Sequence, residues 1–156
     1  MASCNCTVHF RAPKERVFEA ISDFRNADQR ISAITKLEVL TDGPIGKGTR
    51  FKETRVVMKR EATEEMEILE FNPPNGYAVG CTSCGAEFRS TFELQASPQG
   101  GCDLHLTISA RPISFIAKLM SPLSGMMMGA CKKAVLRDME EIRAHIEGPT
   151  GAISPA

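Results

Sequence analysis

The residues most suggestive of chemistry are Cys81 and Cys84, in "CTSC". A redox pair at this spacing opens a helix, whose dipole lowers a thiol pKa. Here the pair ends the strand-like "YAVGCTS", where residues three apart face opposite sides of a sheet. Structural zinc needs two further ligands, and only Cys4 and Cys6, far away in sequence, are on offer. The pair reads as small buried or edge thiols, with no metal site and no cofactor. Asp103 and His105 are two apart and share a face, as an acid–base pair would. Leu104 and Leu106 lie on the opposite face, so that pair is expected towards solvent. His9 alternates outwards in the same way, and His145 falls in a charged helical segment.

"RFKETRV" is more informative. If Phe51 points inward, Glu53 and Arg55 follow it on the same face and could hold a ligand's polar end or move a proton. The alternative register turns Lys52, Thr54, Val56 and Met58 inward. "SPLSGMMMGACKK" admits four readings. A membrane span fails, because no apolar run nears the roughly 18–20 residues required. A Cu(I) site of thioethers fails because Met126, Met127 and Met128 are adjacent, about 100° apart on a helix. Gly125-x-x-x-Gly129 leaves a homodimer face open on weak grounds. The lining of an apolar cavity fits best, methionine being flexible enough to follow irregular contents. No Ser-His-Asp pattern, HExxH or P-loop occurs, and "GPIGKG" reads as a hairpin connection.

These residues must be positioned by a chain of 156 residues, the size of one domain. Its 19 basic and 19 acidic side chains cancel, and there are eight Phe, one Tyr and no Trp. Neither a basic stripe nor stacking aromatics are available for nucleic acid. The start, "MASCNCTVHF", lacks a basic-then-apolar leader, which predicts a cytoplasmic chain with reduced thiols.

Period-2 alternation in "CTVHFRA" predicts a first strand. "PKERVFEAISDF" follows with Val17, Phe18, Ile21 and Phe24 at helical spacing, and "NADQRISAI" suggests a second short helix. Six further strands are expected: "KLEVLTDG", "GTRFKETRVVM", "EATEEMEILEF", "YAVGCTS", "EFRSTFELQ" and "CDLHLTISA", with "NPPNG" forcing a loop. Phe88, Ser90, Phe92 and Leu94 share one face. A long helix, capped by Ser121 with Pro122 in its first turn, carries the stripe Leu123, Met127, Cys131, Val135, Met139, Ile142 and Ile146. Gly148 and Pro149 end it. The order β-α-α-β6-α predicts an α+β fold, a curved antiparallel sheet wrapped around a long C-terminal helix. Residues 1–147 form one domain, and 148–156 a flexible tail.

"APKERVFEAISDF", "GPIGKGTRF", "FNPPNGYAV" and "VLRDMEEIRAHIE" together resemble the START-like, or helix-grip, superfamily of the birch-pollen allergens. Within it they are similar to the polyketide cyclase/dehydrase-type SRPBCC proteins. The resemblance covers roughly residues 4 to 147. It implies a cavity between sheet and long helix that accepts a hydrophobic or amphipathic small molecule, lipid- or polyketide-like. Phe51, Phe88 and Phe92 would line it from the sheet, with Glu53 and Arg55 at its polar point; Leu123, Met126, Met127 and Ala130 would line it from the helix. The alternatives are a cyclase/dehydratase-type enzyme using Glu53 or Arg55, and a protein-interaction module using the cavity mouth or the methionines.

Overall fold

The computed structural model describes residues 2–57, 59–119 and 124–148, with the side chains of Ser124 and Met127 left aside. Strand β1 (Ala2–Phe10) is followed by helix α1 (Lys14–Ile21) and a 3-10 helix (Phe24–Gln29). Then come β2 (Ile34–Val39), β3 (Arg50–Val57), β4 (Arg60–Asn72), β5 (Gly76–Ser83), β6 (Ala86–Ala96) and β7 (Cys102–Pro112). A short helix α2 (Phe115–Leu119) precedes the long helix α3 (Ser124–Glu147).

Among the described residues the strands form one seven-stranded sheet in the order β1-β7-β6-β5-β4-β3-β2. Every neighbouring pair is antiparallel. The sheet is curved, and it does not close into a barrel. Alternation decides which face meets the core. In β7, Cys102, Leu104, Leu106 and Ile108 are all buried. Their neighbours Asp103 and His105 face outward, bonded across to β1: His9 Nδ1 lies 2.8 Å from Asp103 Oδ1, and Thr7 Oγ1 lies 3.0 Å from His105 Nδ1.

Three differences from the sequence reading have simple causes. The expected second helix is a 3-10 turn from Phe24, tethered because Phe24 is buried against Phe51 with ring centroids 5.0 Å apart. Helix α2 went unforeseen, since its five residues are fewer than a periodic apolar pattern needs to register. The cap expected at Ser121 and Pro122, the stripe residue Leu123, and positions 149–156 of the tail lie outside the described residues.

Helix α3 packs over β1, with α1 and β7 touching it less extensively. At 1.5 Å per residue its 24 residues run about 36 Å. Among its described residues Met128, Met139, Ile142 and Ile146 are the buried apolar side chains. Its C-terminal half is pinned: Glu141 accepts from Ser32 N at 2.9 Å and Ser32 Oγ at 2.8 Å, and Arg16 Nη2 donates to the Ile146 carbonyl at 3.1 Å. Near the other end of the molecule β5 turns into β6 through Cys84 and Gly85, with φ of 50° and 74°. Two successive positive φ values make the tight turn that matches strand twist. A side chain at Gly85 would also strike Ser114, its Cβ falling 2.2 Å from Ser114 Oγ.

Candidate functional site

Between the inner face of the sheet and α3 lies a cavity of about 350 Å³, within the usual range for small-molecule sites. Its floor is aromatic. Tyr77 stacks on Phe92 with centroids 4.6 Å apart and meets Phe24 edge-on at 5.3 Å, while Phe24 leans on Phe51. The Tyr77 hydroxyl, buried among these rings, donates to the Ile21 carbonyl at 3.1 Å, so its proton is already committed. Burial, and then the charges of Glu53 and Asp138, push the Tyr77 pKa well above the ordinary phenol value.

The helical wall is built from small or slender side chains, Ala130, Cys131, Ala134 and Val135, which leave the space open. Met139 and Ile142 close it further along the helix. From the sheet come Val79, Gly80, Cys81, Phe88 and Ser90. Strand β3 turns Phe51, Glu53, Arg55 and Val57 towards the cavity, and leaves Lys52 and Val56 exposed.

One ionised cluster interrupts this apolar lining. Arg55 bonds Asp138 on α3 through both terminal nitrogens, Nη1 to Oδ1 at 3.1 Å and Nη2 to Oδ2 at 2.8 Å. Its Nε donates to Glu53 Oε1 at 3.0 Å. The forked geometry suits a planar guanidinium, and it joins the sheet to the helix. Asp138 is only 4% exposed. Burial pushes its carboxyl above the usual carboxylate range, against the opposing pull of Arg55. For Arg55, burial acts to lower the pKa, but the bonds and charges of Asp138 and Glu53 outweigh it and raise the net value.

Of the residues expected to form a site, Phe51, Glu53, Arg55, Phe88, Phe92 and Ala130 lie on the cavity wall. Met126 does not: it is 80% exposed, whereas Met128 is buried. The reason is angular, since residues two apart on a helix diverge by about 200° and so point to opposite sides. Leu123 and the Met127 side chain fall outside the described residues.

Asp138 and Tyr77 escaped the sequence reading. A signal for Asp138 was present: it stands seven residues after Cys131 and four before Ile142, a carboxylate on the apolar stripe itself. Tyr77, the one tyrosine, offered none beyond its rarity. The two thiols of "CTSC" part company. Cys81 is half-buried on the cavity wall, where burial, then Glu64 and Glu53, push its pKa up to about 11. Cys84 is exposed at the turn. No group of three or more metal-binding side chains occurs among the described residues.

A one-sided antiparallel sheet gripping a long C-terminal helix over an internal cavity defines the START-like, helix-grip class of fold. The chain belongs to the family described as "Polyketide cyclase / dehydrase and lipid transport", whose model matches residues 1–147. Solved structures of low sequence identity share the fold. Ara h 8.0201 superposes with a TM-score of 0.76 at 16% identity, over 93% of this chain and 97% of its own. A START superfamily protein from Mycobacterium smegmatis gives 0.74 at 11%, again over 93% and 97%. The di-domain ARO/CYC BexL, from the BE-7585A biosynthetic pathway, gives 0.78 at 14%, over 94% of this chain and 50% of its own. No curated protein sequence matches the chain. Among the described residues no helix is long and apolar enough to cross a membrane.

Proposed function

We propose that the protein binds a hydrophobic or amphipathic small molecule in the cavity between sheet and α3. The observation that carries this reading is the cavity itself: about 350 Å³, walled by apolar side chains, with a single ionised cluster at Glu53, Arg55 and Asp138. A convergent polar group in an apolar cavity orients a ligand whose binding comes from burying its apolar surface, roughly 25 cal/mol per Å² before the costs of association. Membership of a family whose description includes lipid transport supports the same reading.

Native mass spectrometry of the purified protein, together with Nile red titration, tests it. A retained lipophile, or dye bound at one equivalent, is expected. Ala134→Phe, which places a ring in the cavity from the helical wall, should abolish both while leaving the circular dichroism spectrum unchanged. Absence of any bound lipophile or dye in the parent protein would overturn the proposal.

A second reading is favoured by the same ionised cluster. Carboxylates and a guanidinium on an apolar wall are groups that could polarise or deprotonate a polyketide-like substrate, and the family description includes cyclase and dehydrase. Turnover of such a substrate, lost in Glu53→Gln, would favour catalysis over carriage.

A further inference from the structure

The lining of the cavity carries a sign. Among its described residues the only charged side chains are Glu53, Arg55 and Asp138, two carboxylates around one guanidinium. Arg55 is not a free cation awaiting an anionic ligand. Its Nε–H is taken by Glu53 and one N–H of each terminal nitrogen by Asp138. The two N–H groups that remain do not change the sign of the cluster, and Glu141 adds a further negative charge felt at Asp138.

On the acceptor side, Glu53 Oε1 is engaged by Arg55, while Oε2 receives no hydrogen bond from any described residue. Glu53 lies on the cavity wall with its side chain 13% exposed, so this carboxylate borders the cavity and has little access to bulk water. The Tyr77 hydroxyl donates its hydrogen bond to the Ile21 carbonyl and can only accept from a ligand. Ser90 contributes a neutral hydroxyl.

We propose that the cavity selects an apolar molecule whose polar end is an uncharged or cationic hydrogen-bond donor, an alcohol, phenol or amine, and discriminates against the corresponding carboxylate. Such a donor places its proton on Glu53 Oε2. A carboxylate in the same place meets Glu53 and Asp138 at close range with their counter-charge already shared, a like-charge contact that apolar surroundings strengthen. This inference rests on the cavity-binding reading and specifies which head group that cavity takes.

The test compares ligands with one chain and three heads: dodecanol, dodecylamine and dodecanoate, each displacing Nile red from the full-length protein at neutral pH and below its aggregation concentration. The shared chain cancels the apolar contribution. Dodecanol and dodecylamine should displace the dye at concentrations about tenfold lower than dodecanoate, or lower still. In Glu53→Gln, which removes one carboxylate and keeps the shape, that gap should narrow, chiefly through tighter binding of dodecanoate. Equal displacement by all three, or preference for dodecanoate, overturns the head-group inference and leaves the binding reading intact. Failure of the dye itself to bind sinks the binding reading, and the inference with it. The comparison within the parent protein decides the matter even if the variant does not fold.

Discussion

Arginine–carboxylate pairs sit on both faces of this sheet, and the two sets do different work. On the outer face Arg111 of β7 pairs with Glu87 directly opposite on β6. Arg89 of β6 reaches across Gly80 of β5 to Glu70 on β4, and Arg50 meets Glu65 between β3 and β4. Each of these side chains is more than a third exposed, with values from 38% to 63%. On the inner face the side chains of Arg55, Glu53 and Asp138 are exposed by only 20%, 13% and 6%. The bonds are alike in type, so the difference lies in the solvent. Outside, water screens the charges and most of the interaction energy with them. Inside, the charges have been taken out of water, and each depends on its partners to offset that loss.

The largest effect should come from removing the inner cation. Arg55→Met leaves Glu53 and Asp138 as neighbouring half-buried and buried carboxylates with no counter-charge. A loss of about 3–5 kcal/mol is expected, seen in thermal melts as a fall of roughly 10 °C for a chain of this size. Adding Asp138→Leu to that variant should restore part of the loss, since the more deeply buried carboxylate is then gone and only Glu53 keeps an unpaired charge. If the double variant is no better than the single, the inner cluster is held by packing alone and its contrast with the outer pairs disappears.

A smaller effect sharpens the same contrast through pH. Because burial raises the Asp138 carboxyl above its ordinary value, the folded chain holds that proton more tightly than the unfolded chain does. Stability from this group is therefore complete below the unfolded pKa and is lost as pH rises through the higher, folded one. Asp138→Asn removes the titration. The stability of the Asn variant relative to the parent should rise as pH climbs from the ordinary aspartate pKa of about 3.9 through the higher, folded one, measured as urea midpoints. A relative fall over that range would mean that Arg55 outweighs burial and that the folded carboxyl is depressed.

The uneven legibility of the sequence follows from the same division between faces. Strand alternation is a local signal, so the faces of β6 and β7 could be assigned from Phe88 to Leu94 and from Cys102 to Ile108. The Phe51, Glu53 and Arg55 face of β3 was ambiguous because both of its faces carry charge and apolar side chains. Only the buried Phe51 and the partner waiting on α3 decide it. That partner, Asp138, is 83 residues away from Arg55. No local pattern pairs them, and the carboxylate on the helical stripe was overlooked because a single charge barely alters a periodic count. Met126 was misplaced for the opposite reason: composition pointed to a cavity wall, while the facing of each residue depends on helix phase, which places Met128 inward and Met126 in solvent.

The outer pairs should barely register. Arg111→Ala removes the partner of Glu87 across β6 and β7, yet both groups can return to water, so neither is left buried and unpaired. The expected loss is about 0.2–1 kcal/mol, the range of exposed pairs measured by double-mutant cycles. It should shrink further when salt is raised from about 0.1 M to 1 M, as the screening length falls from roughly 10 Å to 3 Å. The inner cluster, shielded from ions by the aromatic floor and α3, should keep its Arg55→Met penalty over the same change. A salt-insensitive loss of several kcal/mol at Arg111 would place that pair in a desolvated environment. The outer face would then hold charge out of water as the cavity does, and the assignment of one ligand-facing surface and one solvated surface to this sheet would have to be redrawn.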